Sequence, residues 1–263
     1  MSSTLLRALT ILDLLTGKPH GMRLSDIATQ ADLPKSAVHR TLAHLCAAGY
    51  VKQDPVHGQY LLGLCMVSRA VRHLANLPLV DVAAPLLDEL AAESGELVRL
   101  SVADGDTLSW VANRQGARFG LRYDPFPGRE IRLVRASSGL AWLSGLERDR
   151  AVALIEAQGF DNLDGYGPRG PSTRQAALAA LAEVSELGYS YTDSTFELGT
   201  VAVAVPIREP GRDAVGALSI AGPSVRFLHA DTIRMLPKLR AAADDLAVLS
   251  SAASPVPRPD DVA

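Results

Sequence analysis

Apolar positions recur with a helical period over three successive stretches at the start of the chain. Leu5, Leu6, Leu9, Ile11, Leu12, Leu14 and Leu15 predict a first helix, ended by Gly17 and Pro19. Leu24, Ile27, Ala28 and Ala31 predict a short second helix that opens on the capping-type Ser25. Val38, Leu42 and Leu45 fall at i, i+4 and i+7 and predict a third, begun by Pro34, whose ring presets the dihedral of a first turn, and stopped by Gly49. The opposite face of that third helix carries Ser36, Arg40 and Ala43, flanked by His39 and His44. No Asp or Glu lies between Asp32 and Asp54. A short polar face without carboxylates can lie against phosphates and base edges. The period then changes: 50–53 and 59–62 read as two short strands joined by Asp54-Pro55-Val56-His57-Gly58, a hairpin with turn chemistry in its loop. The pattern is that of a winged helix-turn-helix with residues 34–45 as its recognition helix. Its DNA-contacting candidates are Lys35, Ser36, Ala37, His39, Arg40 and His44. A three-helix structural bundle that touches no nucleic acid is the alternative.

Downstream, residues 64–77 read as a helical linker, and a further apolar stripe runs from Val80 to Leu90 beyond Pro78. From Glu96 the period drops to two. Leu97–Val102 and Thr107–Val111 alternate around the Asp104-Gly105-Asp106 turn, and 118–123 reads as another strand. Helices are predicted at about 138–145, 147–158 and 172–187, with a Gly-, Asp- and Pro-rich loop at 159–171. The run 198–207 is nearly continuously apolar and therefore a central strand. A strand at 213–222 and a helix over about 230–250 follow, and the Pro-rich end, 251–263, reads as a disordered tail. An antiparallel sheet with helices on one or both faces results, an α+β domain.

Composition narrows the class. With 48% hydrophobic and 21% charged residues the chain is an ordinary globular protein. No apolar run reaches the roughly 18–20 residues of a membrane span, and the start lacks a signal peptide's apolar stretch, so a cytoplasmic location and no membrane partner are expected. Cys46 and Cys65 fit no metal motif and are expected to be buried free thiols. The net charge of −3 divides unevenly: residues 1–65 hold six Lys or Arg against four Asp, a balance of +2. Since phosphate contacts supply most non-specific affinity, one such copy would bind weakly. Two copies on half-sites roughly 34 Å apart would not, so self-association is expected.

The second domain is poor in catalytic chemistry. It has one histidine, His229, no cysteine after Cys65, no Gly-x-Ser-x-Gly elbow, no phosphate-binding Gly-rich loop and no metal-ligand spacing. No catalytic residue, metal or cofactor is therefore expected. A binding pocket needs only shape and a few donors. Ser137-Ser138-Gly139-Leu140 follows a strand-like run at 131–134 and opens a helix, so its free N–H groups and hydroxyls can form an anion site; equally, one serine can be a simple N-cap. Trp110 and Trp142 could wall a pocket or fill the core. Arg114, Arg118, Arg122, Arg129, Arg132 and Arg135 crowd a span opposed only by Asp124 and Glu130. A solvated strand face accounts for most of them; one could reach a carboxylate or a partner subunit.

Two blocks resemble one family. Arg7-Ala8-Leu9, Leu24-Ser25-Asp26-Ile27-Ala28, Leu33-Pro34-Lys35-Ser36, Val38-His39-Arg40, Gly49-Tyr50-Val51 and Tyr60-Leu61-Leu62-Gly63 resemble the DNA-binding domain of IclR-type bacterial transcription regulators. Gly199, Val205-Pro206-Ile207 and Val215–Pro223 match their C-terminal domain. The resemblance implies a GAF/PAS-like effector-binding domain and a first helix that helps pair the DNA-binding domains. It also implies a small-acid pocket at the loop of Ser137, Ser138, Gly139 and Leu140, faced by Asp193, Ala202, Ser219 and Ala221. The family often has Cys where Ala202 stands and Ser where Ala221 stands, so a less polar ligand than a short keto acid is expected.

The expected architecture is α+β: a winged helix-turn-helix over 1–63, a helical linker over 64–77, an effector-binding domain over 78–250 and a tail over 251–263. The expected function is a dimeric or tetrameric DNA-binding repressor or activator that responds to a small organic acid with an apolar or aromatic body, on a double-stranded operator. An enzyme acting on a small organic acid, with the winged domain serving regulation, is the alternative. A protein-interaction module with a degenerate winged helix is the third possibility.

Overall fold

The computed structural model describes residues 4–74, 78–124, 130–209 and 211–252, and the chain divides into two compact units, 1–76 and 77–263.

In the first unit, α1 (Thr4–Thr16), α2 (Leu24–Gln30) and α3 (Lys35–Ala47) enclose a core of Ile11, Leu15, Ile27, Val38, Leu42 and Leu45. The apolar stripe of α1 splits: Ile11, Leu12 and Leu15 are buried, whereas Leu5, Leu6 and Leu9 are exposed. Ser25 does not cap α2. The N-cap is Arg23, and the Ser25 hydroxyl donates to Asp26. Asp32 turns the chain between α2 and α3 with φ 51°, a conformation short polar side chains tolerate. Pro34 is the N-cap of α3, with φ −58° and an extended ψ of 136°, so the helix proper begins at Lys35. Past α3, Gly49 adopts φ 76°, and the Tyr50 N–H donates to the Leu45 carbonyl, closing the helix. The wing is β1 (Val51–Gln53) paired antiparallel with β2 (Tyr60–Leu62), and Met22 bridges to Tyr60. A helix α4 (Cys65–Leu74) follows, with Leu64, Val67 and Val71 exposed along one line at i, i+3 and i+7. Cys46 and Cys65 are free thiols but half-buried rather than buried; burial pushes the Cys46 thiol up.

The second unit opens with α5 (Pro78–Ser94), then β3 (Leu97–Asp104) and β4 (Thr107–Gln115). Next come α6 (Ser137–Ser144), α7 (Arg148–Gln158) and α8 (Arg174–Leu187). The chain closes with β5 (Ser190–Asp193), β6 (Thr200–Ile207), β7 (Gly216–Pro223) and α9 (His229–Ala252). The sheet is antiparallel, ordered β4-β3-β7-β6-β5. One face, with Val98, Leu100, Val203, Val205, Leu218 and Ile220, packs on α5 and α9. The other face is built from small side chains and meets α6. Strand alternation separates the two chemistries. Two expectations fail. Residues 118–123 and 131–134 form bends and turns, not strands, and β5 has no counterpart in the sequence expectation. The linker expected over 64–77 corresponds to α4, with 75–77 outside the described residues; of the expected tail, 251 and 252 belong to α9 and the rest lies outside the described residues.

Candidate functional site

Two places carry chemistry, one in each unit.

In the first unit, burial of Val38, Leu42 and Leu45 fixes which face of α3 is presented. Lys35, Ser36, His39, Arg40, Ala43 and His44 are exposed, and Ala37 is half-buried. A groove of about 220 Å³ runs along this face, lined by Thr4, Arg7, Pro34, Ser36, Ala37, Arg40, Thr41 and His44. Lys35 and His39 lie on the exposed face outside that groove. Thr4, Arg7, Pro34 and Thr41 line the groove without having been expected as contacts; for the cation Arg7, its position four before Ile11 on the otherwise apolar stripe of α1 was the available signal. The wing loop is shaped by Asp54, which accepts from the Val56 N–H (2.9 Å) and the His57 ring (2.7 Å). Those two partners hold its carboxyl below the usual range. This face offers cationic and hydroxyl donors without a carboxylate, which is what a nucleic acid groove requires.

In the second unit, a small cavity of about 20 Å³ lies between the small-residue face of the sheet and the start of α6. Its walls are Ser137 and Ser138 from α6, Arg99 from β3, Thr192 from β5, Thr200 and Ala202 from β6, Ser219 and Ala221 from β7, and the aromatic rings of Tyr123 and Phe196. Register explains the assembly: Arg99 pairs with Ser219, which pairs with Ala204, while Leu97, Ala221, Ala202 and Thr192 form the adjacent row. All share one face. Of the expected pocket residues, Ser137, Ser138, Ala202, Ser219 and Ala221 line this cavity. Gly139, Leu140 and Asp193 do not. A Cβ on Gly139 would come 2.3 Å from the Leu133 carbonyl oxygen, so this glycine serves close packing. Leu140 is buried in the core behind α6. Asp193 alternates away from Thr192 and pairs with Arg169.

Neither serine caps α6, since Ala136 holds the N-cap position without a side-chain cap. The Ser137 hydroxyl instead donates to the Ser190 carbonyl (3.1 Å), and Ser219 donates to the Arg99 carbonyl (3.4 Å). The first-turn N–H groups of α6 carry no intrahelical bond and add a positive pole. Trp142 is fully buried and donates to the Ala214 carbonyl (3.0 Å), so it seats α6 and is not a pocket wall. Trp110 lies against Arg99, with 4.0 Å from the guanidinium carbon to the ring centroid. Of the crowded arginines, Arg114 and Arg122 form exposed ion pairs with Asp88 and Asp124. Arg132 and Arg135 bind loop carbonyls, and Arg129 lies outside the described residues. The arginine at the cavity is Arg99, which stands apart from that crowd and was not expected there. Burial pushes its guanidinium pKa down, though an arginine keeps its charge in a protein. Its signal was a cation inside the alternating strand 97–102. No group of three or more potential metal ligands occurs among the described residues, and no described helix is long and apolar enough to cross a membrane.

Comparison with known proteins covers both places. Residues 4–55 match the IclR helix-turn-helix domain, and residues 71–248 match the C-terminal domain of bacterial transcriptional regulators of the IclR type. The chain is 28% identical over 239 residues to the HTH-type transcriptional regulator XynR of Escherichia coli, covering 90% of this chain and 92% of that one. It is 28% identical over 225 residues to the acetate operon repressor of Salmonella typhimurium, covering 85% and 81%. A crystal structure described as that of an IclR-type regulator from Silicibacter superposes with a TM-score of 0.76 at 28% identity, over 94% of this chain and 96% of that one. An IclR homologue from Microbacterium hydrocarbonoxydans, solved with 4-hydroxybenzoate, shares the fold at 23% identity with a TM-score of 0.73, over 95% and 100%. From the winged helix to the last helix, this chain belongs to the IclR family of bacterial transcriptional regulators.

Proposed function

We propose that this DNA-binding regulator is ligand-responsive, and that it senses a small organic acid with an apolar or aromatic body in the cavity between the sheet and α6. The observation that carries this reading is the cavity's lining. Donors from Arg99, Ser137 and Ser138 converge there, with alanines and two aromatic rings around them and no carboxylate. Such a lining suits an anion with an apolar body. At about 20 Å³ the cavity holds about one water, so Tyr123 and Phe196 must swing aside to admit an aromatic acid. The Microbacterium homologue is solved with 4-hydroxybenzoate, an acid of this class, which supports the reading. Lys35, Ser36, Ala37, His39, Arg40 and His44 are the proposed operator contacts, joined by Arg7. Arg40→Ala is expected to weaken operator binding by about 1–3 kcal/mol in a gel-shift titration while leaving the melting temperature within about a degree. Equal loss of folding and binding would show that Arg40 is structural.

The regulator is further proposed to act as a homo-oligomer, dimer or tetramer, on a two-fold operator. The exposed Leu5, Leu6 and Leu9 of α1, Leu64 just before α4, and Val67 and Val71 of α4 support this, as does the balance of only +2 over residues 1–65. Sedimentation at micromolar concentration is expected to show a dimer or larger species. A monomer with full operator affinity would exclude it. The experiment for the function as a whole is retention on duplex DNA across a salt series. Affinity is expected to fall linearly on logarithmic axes; salt-independent or absent retention would favour a protein-interaction module.

A further inference from the structure

The second unit contains a buried cation whose donors the protein satisfies only in part. Arg99 is 8% exposed, on the cavity face of β3, with its guanidinium carbon 4.0 Å from the Trp110 ring centroid and 5.8 Å from that of Tyr123. Its Nε and Nη1 have no hydrogen-bond partner; Tyr123 hydrogen-bonds the guanidinium and the Glu197 carboxylate favours its charge, so its compensation is partial. Two other arginines of the same unit are more fully partnered, although the Arg135 Nε is also without one. Arg135, 5% exposed, donates to the carbonyls of Gly167 and Gly170. Arg226 makes a two-pronged pair with the buried Glu96, at 2.6 and 2.8 Å. A buried guanidinium with two unmet donors is costly, and ring faces compensate it only in part. A position that keeps one beside a cavity fits a counter-charge that arrives with the ligand.

We propose, on the basis of the ligand-sensing reading above, that Arg99 reads the effector's carboxylate and restricts the pocket to monocarboxylates. The guanidinium fork matches a carboxylate with two parallel hydrogen bonds. The N–H groups and hydroxyl at Ser137 and Ser138 line the same cavity and supplement it, and Trp110 holds the guanidinium plane in place. One cation balances one negative charge. The alanines at 202 and 221 and the rings of Tyr123 and Phe196 leave the rest of the cavity apolar, which suits a flat or short apolar body and disfavours a doubly charged phosphate.

Matched acid and amide pairs test this on the full-length protein by calorimetric titration: benzoate with benzamide, phenylacetate with phenylacetamide, butyrate with butyramide, and inorganic phosphate beside them. At least one acid is expected to bind, more than tenfold tighter than its amide. Arg99→Gln is expected to weaken that acid by about 10- to 100-fold and to erase the acid-to-amide ratio, with circular dichroism and ligand-free operator binding unchanged. Arg99→Lys keeps the charge without the fork and is expected to retain an intermediate ratio; it serves as the probe if the glutamine variant fails to fold. An acid that binds either variant as tightly as the original, with its ratio intact, would overturn the role of Arg99 and leave the pocket reading standing. Binding of none of the acids would overturn both, and a preference for phosphate would overturn the ligand class.

Discussion

Trp142→Ala is expected to destabilise the C-terminal unit by about 3–5 kcal/mol and to abolish ligand binding with it. The ring is fully buried among Leu140, Leu143 and Ala217, and its indole N–H donates to the Ala214 carbonyl at 3.0 Å. Removing it leaves a void and a buried carbonyl without its donor, two costs that add. The functional consequence follows from position, because Trp142 sits within α6 and its burial fixes where Ser137 and Ser138 point. Chemical denaturation followed by circular dichroism measures the loss. Trp142→Phe, which keeps most of the packing but not the N–H, is expected to fall between the two. A change of less than about 1 kcal/mol in the alanine variant would mean that α6 is held by something other than this ring.

Leu42→Ala is the counterpart in the DNA-binding unit. Leu42 is 0% exposed at the centre of the Ile11, Ile27 and Val38 cluster, and it lies on the helix face opposite Arg40 and His44. Truncation of such a leucine costs about 2–5 kcal/mol. A domain of this size has few kcal/mol in reserve, so operator retention is expected to be lost. Hydrogen exchange should show the loss of protection in 4–62. Retained operator binding with unaltered exchange would place the core of this unit elsewhere.

The first unit was legible almost in full because its helices alternate polar and apolar faces with little interference, and its turns are marked by Gly17, Pro19, Pro34 and Gly49. What misled there was Ser25, a residue type that usually caps but here bonds its neighbour Asp26. Only tertiary packing decides between the two. In the second unit, β6 and β7 were plain from their apolar runs, whereas β5, Ser-Tyr-Thr-Asp at the edge of the sheet, is too short and polar to announce itself. The strand expected at 118–123 failed because its alternation has no partner: Gly120 turns the chain with φ 76°, and Phe119 and Leu121 face solvent. At the cavity, the serines of α6 and the small residues of β6 and β7 were visible from motif and alternation. Arg99 was not, because a lone arginine in a strand looks the same whether it meets water or a cavity wall. Only the register that sets it beside Ser219 and under Trp110 gives it meaning.

A second reading, that the C-terminal unit turns over a small acid, draws no support from the cavity. Its lining holds hydroxyls and a guanidinium but no carboxylate, histidine or cysteine.

An acid held in that cavity is expected to change DNA binding. The direct measurement is an operator titration of the full-length protein with and without each acid of the benzoate, phenylacetate and butyrate set, repeated on Ala202→Leu, whose larger side chain fills the cavity from β6. At least one acid is expected to shift the operator midpoint by about 5- to 150-fold in the original protein. The shift should vanish in Ala202→Leu, while its ligand-free operator affinity is unchanged. An operator midpoint that no acid moves, or a shift that survives intact in Ala202→Leu, would contradict the account.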